Sequence, residues 1–185
     1  MKKQHLLKVL VGLLLLNLAG ACCAWLFREE VEYIGTLFIE RYGLWGIALG
    51  TLICDTSPLP LTNEPLALIS LGAGIPFWTL IATMSCASHS AAPIGYTCGY
   101  VLGRQPWITN WLQKKYPEAM DNGKKYATRA VVLGALLPIP YALTTWSAGM
   151  MKANFWHICW AGSLRWIKNL IAVGALAGGW MMGQS

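Results

Sequence analysis

Charge is scarce in this sequence. Only 12% of its 185 residues are Asp, Glu, Lys or Arg, about half the ~25% share typical of soluble globular domains. Hydrophobic residues make up 56%, and the mean hydropathy is +0.47. That balance argues against an ordinary soluble domain and for an integral membrane protein. No phosphate-binding loop, no G-x-S-x-G elbow, no H-E-x-x-H helix and no paired metal-ligand spacing occurs. The chemistries those patterns carry are therefore not expected, nor is a resident metal or other cofactor. The acids are too few for a convincing catalytic set. An intramembrane hydrolase would have to use Asp55 with His89, and their spacing gives that pairing no support, so the protein is not expected to be an enzyme. C-x-x-C is absent too. The six cysteines (Cys22, Cys23, Cys54, Cys86, Cys98 and Cys159) all lie in apolar stretches and read as small packing residues.

What is present fits a membrane. Ten tryptophans and nineteen glycines suit interfacial anchoring and close helix approach, respectively. The net charge of +6 is concentrated at Lys2, Lys3 and Lys8 and between Arg104 and Arg129. Such clustering marks cytoplasmic segments facing anionic headgroups and needs no nucleic acid.

Residues 9–27 form an uncharged run long enough to cross ~30 Å of hydrocarbon, with a cytoplasmic N-terminus. The stretch LAGAC within it also resembles a signal-peptide or lipoprotein cleavage site, so removal of residues 1–22 stays open. Residues 28–42, with four acids and two arginines, predict an interfacial helix on the other face. From 43 to 75, two apolar pieces too short to span flank DTSPLPLTNEP. Such a pattern predicts a re-entrant hairpin with Pro58, Pro60 and Asn63 at its tip. A long helix is expected over 76–103, then a basic cytoplasmic amphipathic segment over 104–129. The pattern repeats with a hairpin over 130–151, tipped by Pro138 and Pro140, and a helix over 154–182. Ser70, Ala73-Gly74 and Phe77-Trp78 in the first half pair with Ser147, Ala148-Gly149 and Phe155-Trp156 in the second. The resulting expectation is an all-α polytopic membrane protein, an inverted repeat of re-entrant helical hairpin plus transmembrane helix in one domain over 43–185. Transporters with midplane sites use that plan.

An ionised residue at the bilayer centre costs at least ~2.5–3.5 kcal/mol and so faces a cavity or a partner. Asp55 and Glu64 flank the first tip, where they could exchange protons or meet a cationic headgroup, or could merely cap the following helix. Arg165 and Lys168 share one helix face in the last segment and could neutralise those acids or attract a lipid phosphate. Arg104 and Arg129 are weaker candidates at helix ends, where snorkelling suffices. Thr144 and Thr145 are the nearest hydroxyls to the second tip. His89 and Asn63 read as interhelical hydrogen-bonding groups.

The acid-containing hairpin, G-x-x-x-G-Y-x-x-G-R from Gly95 to Arg104, the basic amphipathic segment and the Pro-tipped second hairpin together resemble the DedA/VTT (SNARE-associated Golgi) family over about residues 40–180. The resemblance implies lipid movement between leaflets: of undecaprenyl phosphate or phosphatidylethanolamine with dependence on the proton motive force in some bacterial members, and scrambling of phospholipids in eukaryotic ones. By position, Asp55 matches the acid before the family's first tip, Glu64 the acid of its Pro-Gly-acid tip, and Arg104 its Gly-Arg motif. The chain departs from the pattern at the second tip. Ala135 and Tyr141 stand where bacterial members often carry arginines, which weakens the case for a bidentate phosphate clamp.

The function expected is lipid translocation as a flippase or scramblase, with proton coupling left open. Membrane phospholipids or undecaprenyl phosphate and protons are the expected partners. A homo-oligomer and a bacterial inner-membrane location fit the same reading. Its rivals are a proton-coupled exporter of small cations and a non-transporting membrane scaffold or chaperone.

Overall fold

The computed structural model describes residues 28–58, 63–115, 117–137 and 140–182. The expected first helix at 9–27, and Pro60 and Pro138 at the two tips, lie outside those residues. Among the described residues all regular structure is α-helical: α1 (Arg28–Thr56), α2 (Glu64–Gly72), α3 (Phe77–Leu102), α4 (Pro106–Lys115), α5 (Pro117–Leu136), α6 (Tyr141–Met150), α7 (Phe155–Gly162) and α8 (Arg165–Met182).

Proline places most of the starts. Pro76 and Pro140 immediately precede α3 and α6, Pro65 lies in the first turn of α2, and Pro106 and Pro117 open α4 and α5. A first-turn residue has no intrahelical acceptor for its N–H, so a ring without an N–H costs nothing there. Asn154 caps α7 instead, its side-chain oxygen accepting from the backbone N–H of His157 at 3.3 Å.

α1 is bent. Gly43 takes φ 55°, ψ −151°, a region open in practice only to glycine. The bend is visible in packing: Gly50 meets Leu66 and Gly35 meets the Ile69 backbone. A straight helix would hold positions 35 and 50 about 22 Å apart, yet both contact one short stretch of α2. Tyr33–Thr56 is the one described helix long and apolar enough to cross a membrane by length and composition. It runs through the boundary at 42/43 where the sequence suggests an interfacial helix giving way to a hairpin arm.

α3 is the central element and packs against α1, α2, α6, α7 and α8. Its Gly95, Gly99 and Gly103 form the contact with α6: a β-carbon on Gly99 would run into the Trp146 carbonyl, and one on Gly103 would sit 2.8 Å from the Met150 Cα. The glycines of the G-x-x-x-G-Y-x-x-G-R stretch are thus a helix-packing device. Two apolar cores result. One joins α3, α5, α6 and α7 through small residues such as Ala91, Ala92, Ala135, Ala148 and Ala161. The other joins α1, α2, α3 and α8 through Ile47, Ala67, Leu80, Met84 and Val173.

Two helix–turn–helix junctions match bond for bond. After α2, Ala73, Gly74 and Ile75 donate to the carbonyls of Ile69, Leu71 and Ser70; after α6, Met151, Lys152 and Ala153 donate to those of Ser147, Gly149 and Ala148. Each is a Schellman ending with a left-handed residue, Gly74 at φ 75° and Lys152 at φ 52°. Each then leads into an edge-on aromatic pair, Phe77–Trp78 or Phe155–Trp156. The geometry corrects the pairing read from sequence. Ala148-Gly149 corresponds to Ser70-Leu71, and the counterpart of Gly74 is Lys152.

Two further expectations change. The helix expected over 154–182 divides at Ser163–Leu164, where successive N–H groups bond three residues back and the Ser163 hydroxyl donates to the Trp160 carbonyl at 2.6 Å. Such bonds tighten the turn and compete with the α-helical ladder. Arg165 therefore opens a helix rather than lying eleven residues into one. Nor does the chain break near 129/130, because α5 runs unbroken from Pro117 through Arg129 to Leu136.

Candidate functional site

Between the two cores lies a polar layer. On α3, Ser85 and Ser88 fall between Met84 of one core and Ala91 of the other, and all three of Ser85, Ser88 and Asp55 are buried. Asp55 sits in the last turn of α1. Its Oδ1 accepts from the Asn63 amide at 3.0 Å and from the Arg165 guanidinium, and its Oδ2 accepts from the Ser88 hydroxyl. Arg165, 1% exposed, forms a buried ion pair with Asp55, 5% exposed. The guanidinium also lies over the Tyr141 ring, 4.8 Å from its centroid, a cation–π contact strengthened by exclusion of water.

One turn further along α8, Asn169 donates to the Ser88 and Ser85 hydroxyls at 3.3 and 3.4 Å. Residues i and i+4 share a helix face, so Arg165 and Asn169 bracket the same part of α3. Burying an ion pair is costly unless the remaining hydrogen-bonding positions are filled. Here three neighbours fill those of the carboxylate, whereas Arg165 Nε and the Tyr141 hydroxyl have no partner among the described residues.

A second pair lies beside the first. Lys168 Nζ is 3.8 Å from Glu64 Oε1, with both side chains partly exposed. They line a cleft of about 10 Å³ with Asn63, Ala67, Met84, Asn169 and Val173. Glu64 Oε2 and Asn63 Oδ1 are buried without hydrogen-bonding partners among the described residues.

Residues beside both tips thus contribute. Asp55 and Asn63 flank the first tip, and Tyr141 follows Pro140 of the second. Trp146 of α6 donates from its indole to the Thr56 carbonyl at 3.1 Å, which ties the hairpin arms to each other.

Of the residues singled out in the sequence, Asp55, Asn63, Glu64, Arg165 and Lys168 come together. Arg104 does not: it is exposed, with its guanidinium on Tyr100, 4.6 Å from the ring centroid and bonded to the hydroxyl at 3.0 Å. Arg129 and Pro58 are exposed. His89 is not among the hydrogen-bonding partners of Asp55, and its Nδ1 is buried without a partner among the described residues. Its carbonyl loses its usual donor to Pro93. Thr144 and Thr145 bond back to carbonyls of their own helix at Tyr141 and Ala142. Cys54, Cys86, Cys98 and Cys159 are free thiols.

Sequence reasoning missed Ser85, Ser88, Asn169 and Tyr141. The available signal was spacing. Ser85 and Ser88 are three apart on α3, and Asn169 is four past Arg165, so each pair faces one way.

No curated protein and no solved structure matches the chain. The VTT domain family model matches residues 59–178, well over half the chain, taking in Asn63, Glu64, Ser88, Tyr141, Arg165, Lys168 and Asn169 and stopping short of Asp55. With its all-helical fold, its glycine-spaced central helix and this match, the chain belongs to the VTT domain family, the membrane-associated family of DedA and SNARE-associated Golgi proteins.

Proposed function

We propose that the protein moves lipids between the leaflets of its membrane as a transporter rather than an enzyme. A headgroup crosses along the polar layer while its acyl tails stay in hydrocarbon. The observation that carries this reading is the buried Asp55–Arg165 pair, built where the inner ends of both hairpins adjoin. Ionisable groups are held inside a membrane protein at such expense mainly along substrate and ion routes. The lengths of the arms support a re-entrant arrangement. α2, at nine residues, reaches about 13 Å, and α1 beyond its Gly43 bend about 20 Å, both short of ~30 Å of hydrocarbon. The matched junctions after α2 and α6 support two copies of one unit, entering from opposite faces as the charge bias suggests. On that topology the N-terminus and the basic α4–α5 segment face the cytoplasm, in a bacterial inner membrane. The pairing of anionic and cationic side chains suits a phospholipid or polyprenyl-phosphate headgroup, whose charges could exchange with Glu64 and Lys168 in turn.

The test is reconstitution in liposomes carrying labelled lipids, comparing the native protein with Asp55→Asn and Glu64→Gln. Lipid movement should fall at least tenfold in each. Unchanged movement in both variants, each verified as folded, would sink the proposal, and cation efflux in place of lipid movement would replace it with an exporter.

A further inference from the structure

Each apolar core is built by a different set of elements. One takes Leu80 and Met84 from the first part of α3 and joins them to Ile47 of α1, Ala67 of α2 and Val173 of α8. The other takes Ala92 and Tyr96 from the second part of α3 and joins them to Val131 of α5, Ala148 of α6 and Ile158 of α7. Among the described residues the chain passes between these sets twice, within α3 and between α7 and α8.

Both crossings fall where helical bonding is weakened. Pro93, inside α3, offers no N–H to the His89 carbonyl, and its ring crowds that carbonyl. At Ser163–Leu164 the N–H groups bond three residues back, and the Ser163 hydroxyl takes up the Trp160 carbonyl, in competition with the helical ladder. The two weak points adjoin. A β-carbon on Gly162 would lie 2.8 Å from the Ala92 β-carbon and 3.7 Å from the His89 carbonyl oxygen.

We propose that the protein is two packed bodies hinged along a line through Pro93 and Ser163. α1, α2 and α8 move with the first part of α3, and α5, α6 and α7 move with the second. Close-packed cores deform little, so bending concentrates where the helix ladder is interrupted. Each body combines one hairpin with part of each long apolar segment, so the moving units are not the two sequence repeats. The polar layer of Ser85, Ser88 and Asp55 lies between the cores, and rotation about this line parts it. The Asp55–Arg165 pair survives the motion, because both partners belong to one body. Three contacts bridge the bodies and hold the closed form: the Trp146 indole on the Thr56 carbonyl, the Arg165 guanidinium over the Tyr141 ring, and Leu52 of α1 against the second core. The inference rests on the lipid-translocation reading only for what the opening serves, the passage of a headgroup.

Pulsed electron spin resonance on the full chain in lipid tests the hinge without any transport measurement. Nitroxide pairs are placed at exposed positions through Trp45→Cys, Leu133→Cys, Trp156→Cys and Ile171→Cys, with the native cysteines replaced by serine. The Trp45–Leu133 pair spans the two bodies; Trp45–Ile171 and Leu133–Trp156 each lie within one. Trp146→Phe removes the bridging donor and should widen the spanning distance distribution at least twofold, with both internal distributions unchanged. Adding Pro93→Ala, which restores the N–H for His89, should return the spanning width to its native value. Should that variant not fold, Ser163→Ala relieves the other crossing and takes its place. A spanning distribution unmoved by Trp146→Phe overturns the proposal. So does equal widening of all three pairs, or a widening that the restored helix bond does not reverse. Absence of lipid movement in the native protein would instead defeat the transport reading and leave the hinge standing.

Discussion

The indole of Trp146 donates to the backbone carbonyl of Thr56 across 3.1 Å. One residue lies in α6, the other ends α1, and the bond closes a carbonyl at a helix terminus that has no partner of its own. It lies one residue from Asp55, so the second hairpin steadies the acid that ends the first arm.

Replacing Trp146 with Phe keeps most of the ring and removes the donor. Stability should fall by about 1 kcal/mol, the low end of the cost of leaving a carbonyl unmet because this one is only partly buried, read as a lower midpoint of thermal unfolding in detergent. Trp160→Phe, at a position 65% exposed, should leave that midpoint nearly unchanged.

Breaking the central pair from one side should be worse than removing it altogether. Arg165→Gln leaves the Asp55 carboxylate buried alone and should cost about 3–5 kcal/mol. Adding Asp55→Asn to Arg165→Gln should recover most of the loss, because no buried charge then remains. Additive destabilisation in the double variant would show that the two side chains act independently.

Lys152 is strained where its counterpart is not. A side chain in the left-handed region costs about 1–2 kcal/mol, and Lys152 is exposed at φ 52°. Lys152→Gly should therefore raise the unfolding midpoint, and Gly74→Ala at φ 75° should lower it. Opposite signs at matched positions are the diagnostic result.

Glycines with and without a neighbour against them should respond differently to bulk. Gly99→Val drives a branched side chain into the Trp146 backbone and should prevent a monodisperse preparation. Gly174→Val, where nothing lies within 4 Å, should elute as the native protein does on size exclusion.

Much of this arrangement is legible in the sequence, for physical reasons. Charge in an apolar chain is expensive, so Asp55, Glu64, Arg165 and Lys168 stand out without coordinates, and neutralisation of the acids by Arg165 or Lys168 is among the roles their positions allow. Proline cannot donate, and Pro65, Pro76, Pro106, Pro117 and Pro140 all lie at helix starts, a signal that the sequence-based expectations use at Pro76 but not at Pro106, Pro117 or Pro140. The hidden features involve residues that cost little where they are. Ser88 and Asn169 are ordinary in an apolar helix until a buried carboxylate gives them a role. The division at Ser163 needs no proline, only a hydroxyl that competes for the Trp160 carbonyl. Lys152 in a glycine's conformation defeated the residue-by-residue matching of the halves, because the correspondence lies in backbone hydrogen bonds rather than in side-chain identity.

Asp55 and Glu64 face Arg165 and Lys168, so the layer with all four groups charged sums to zero. In that state a membrane voltage exerts no net force on it. One proton on Glu64 leaves a single positive charge, and an elementary charge carried across a full membrane potential gains or loses about 2.3 kcal/mol per 100 mV. On the lipid-translocation reading, a quartet made charged by one proton would respond to the membrane voltage, and the sign of the potential would set the direction in which it is pulled.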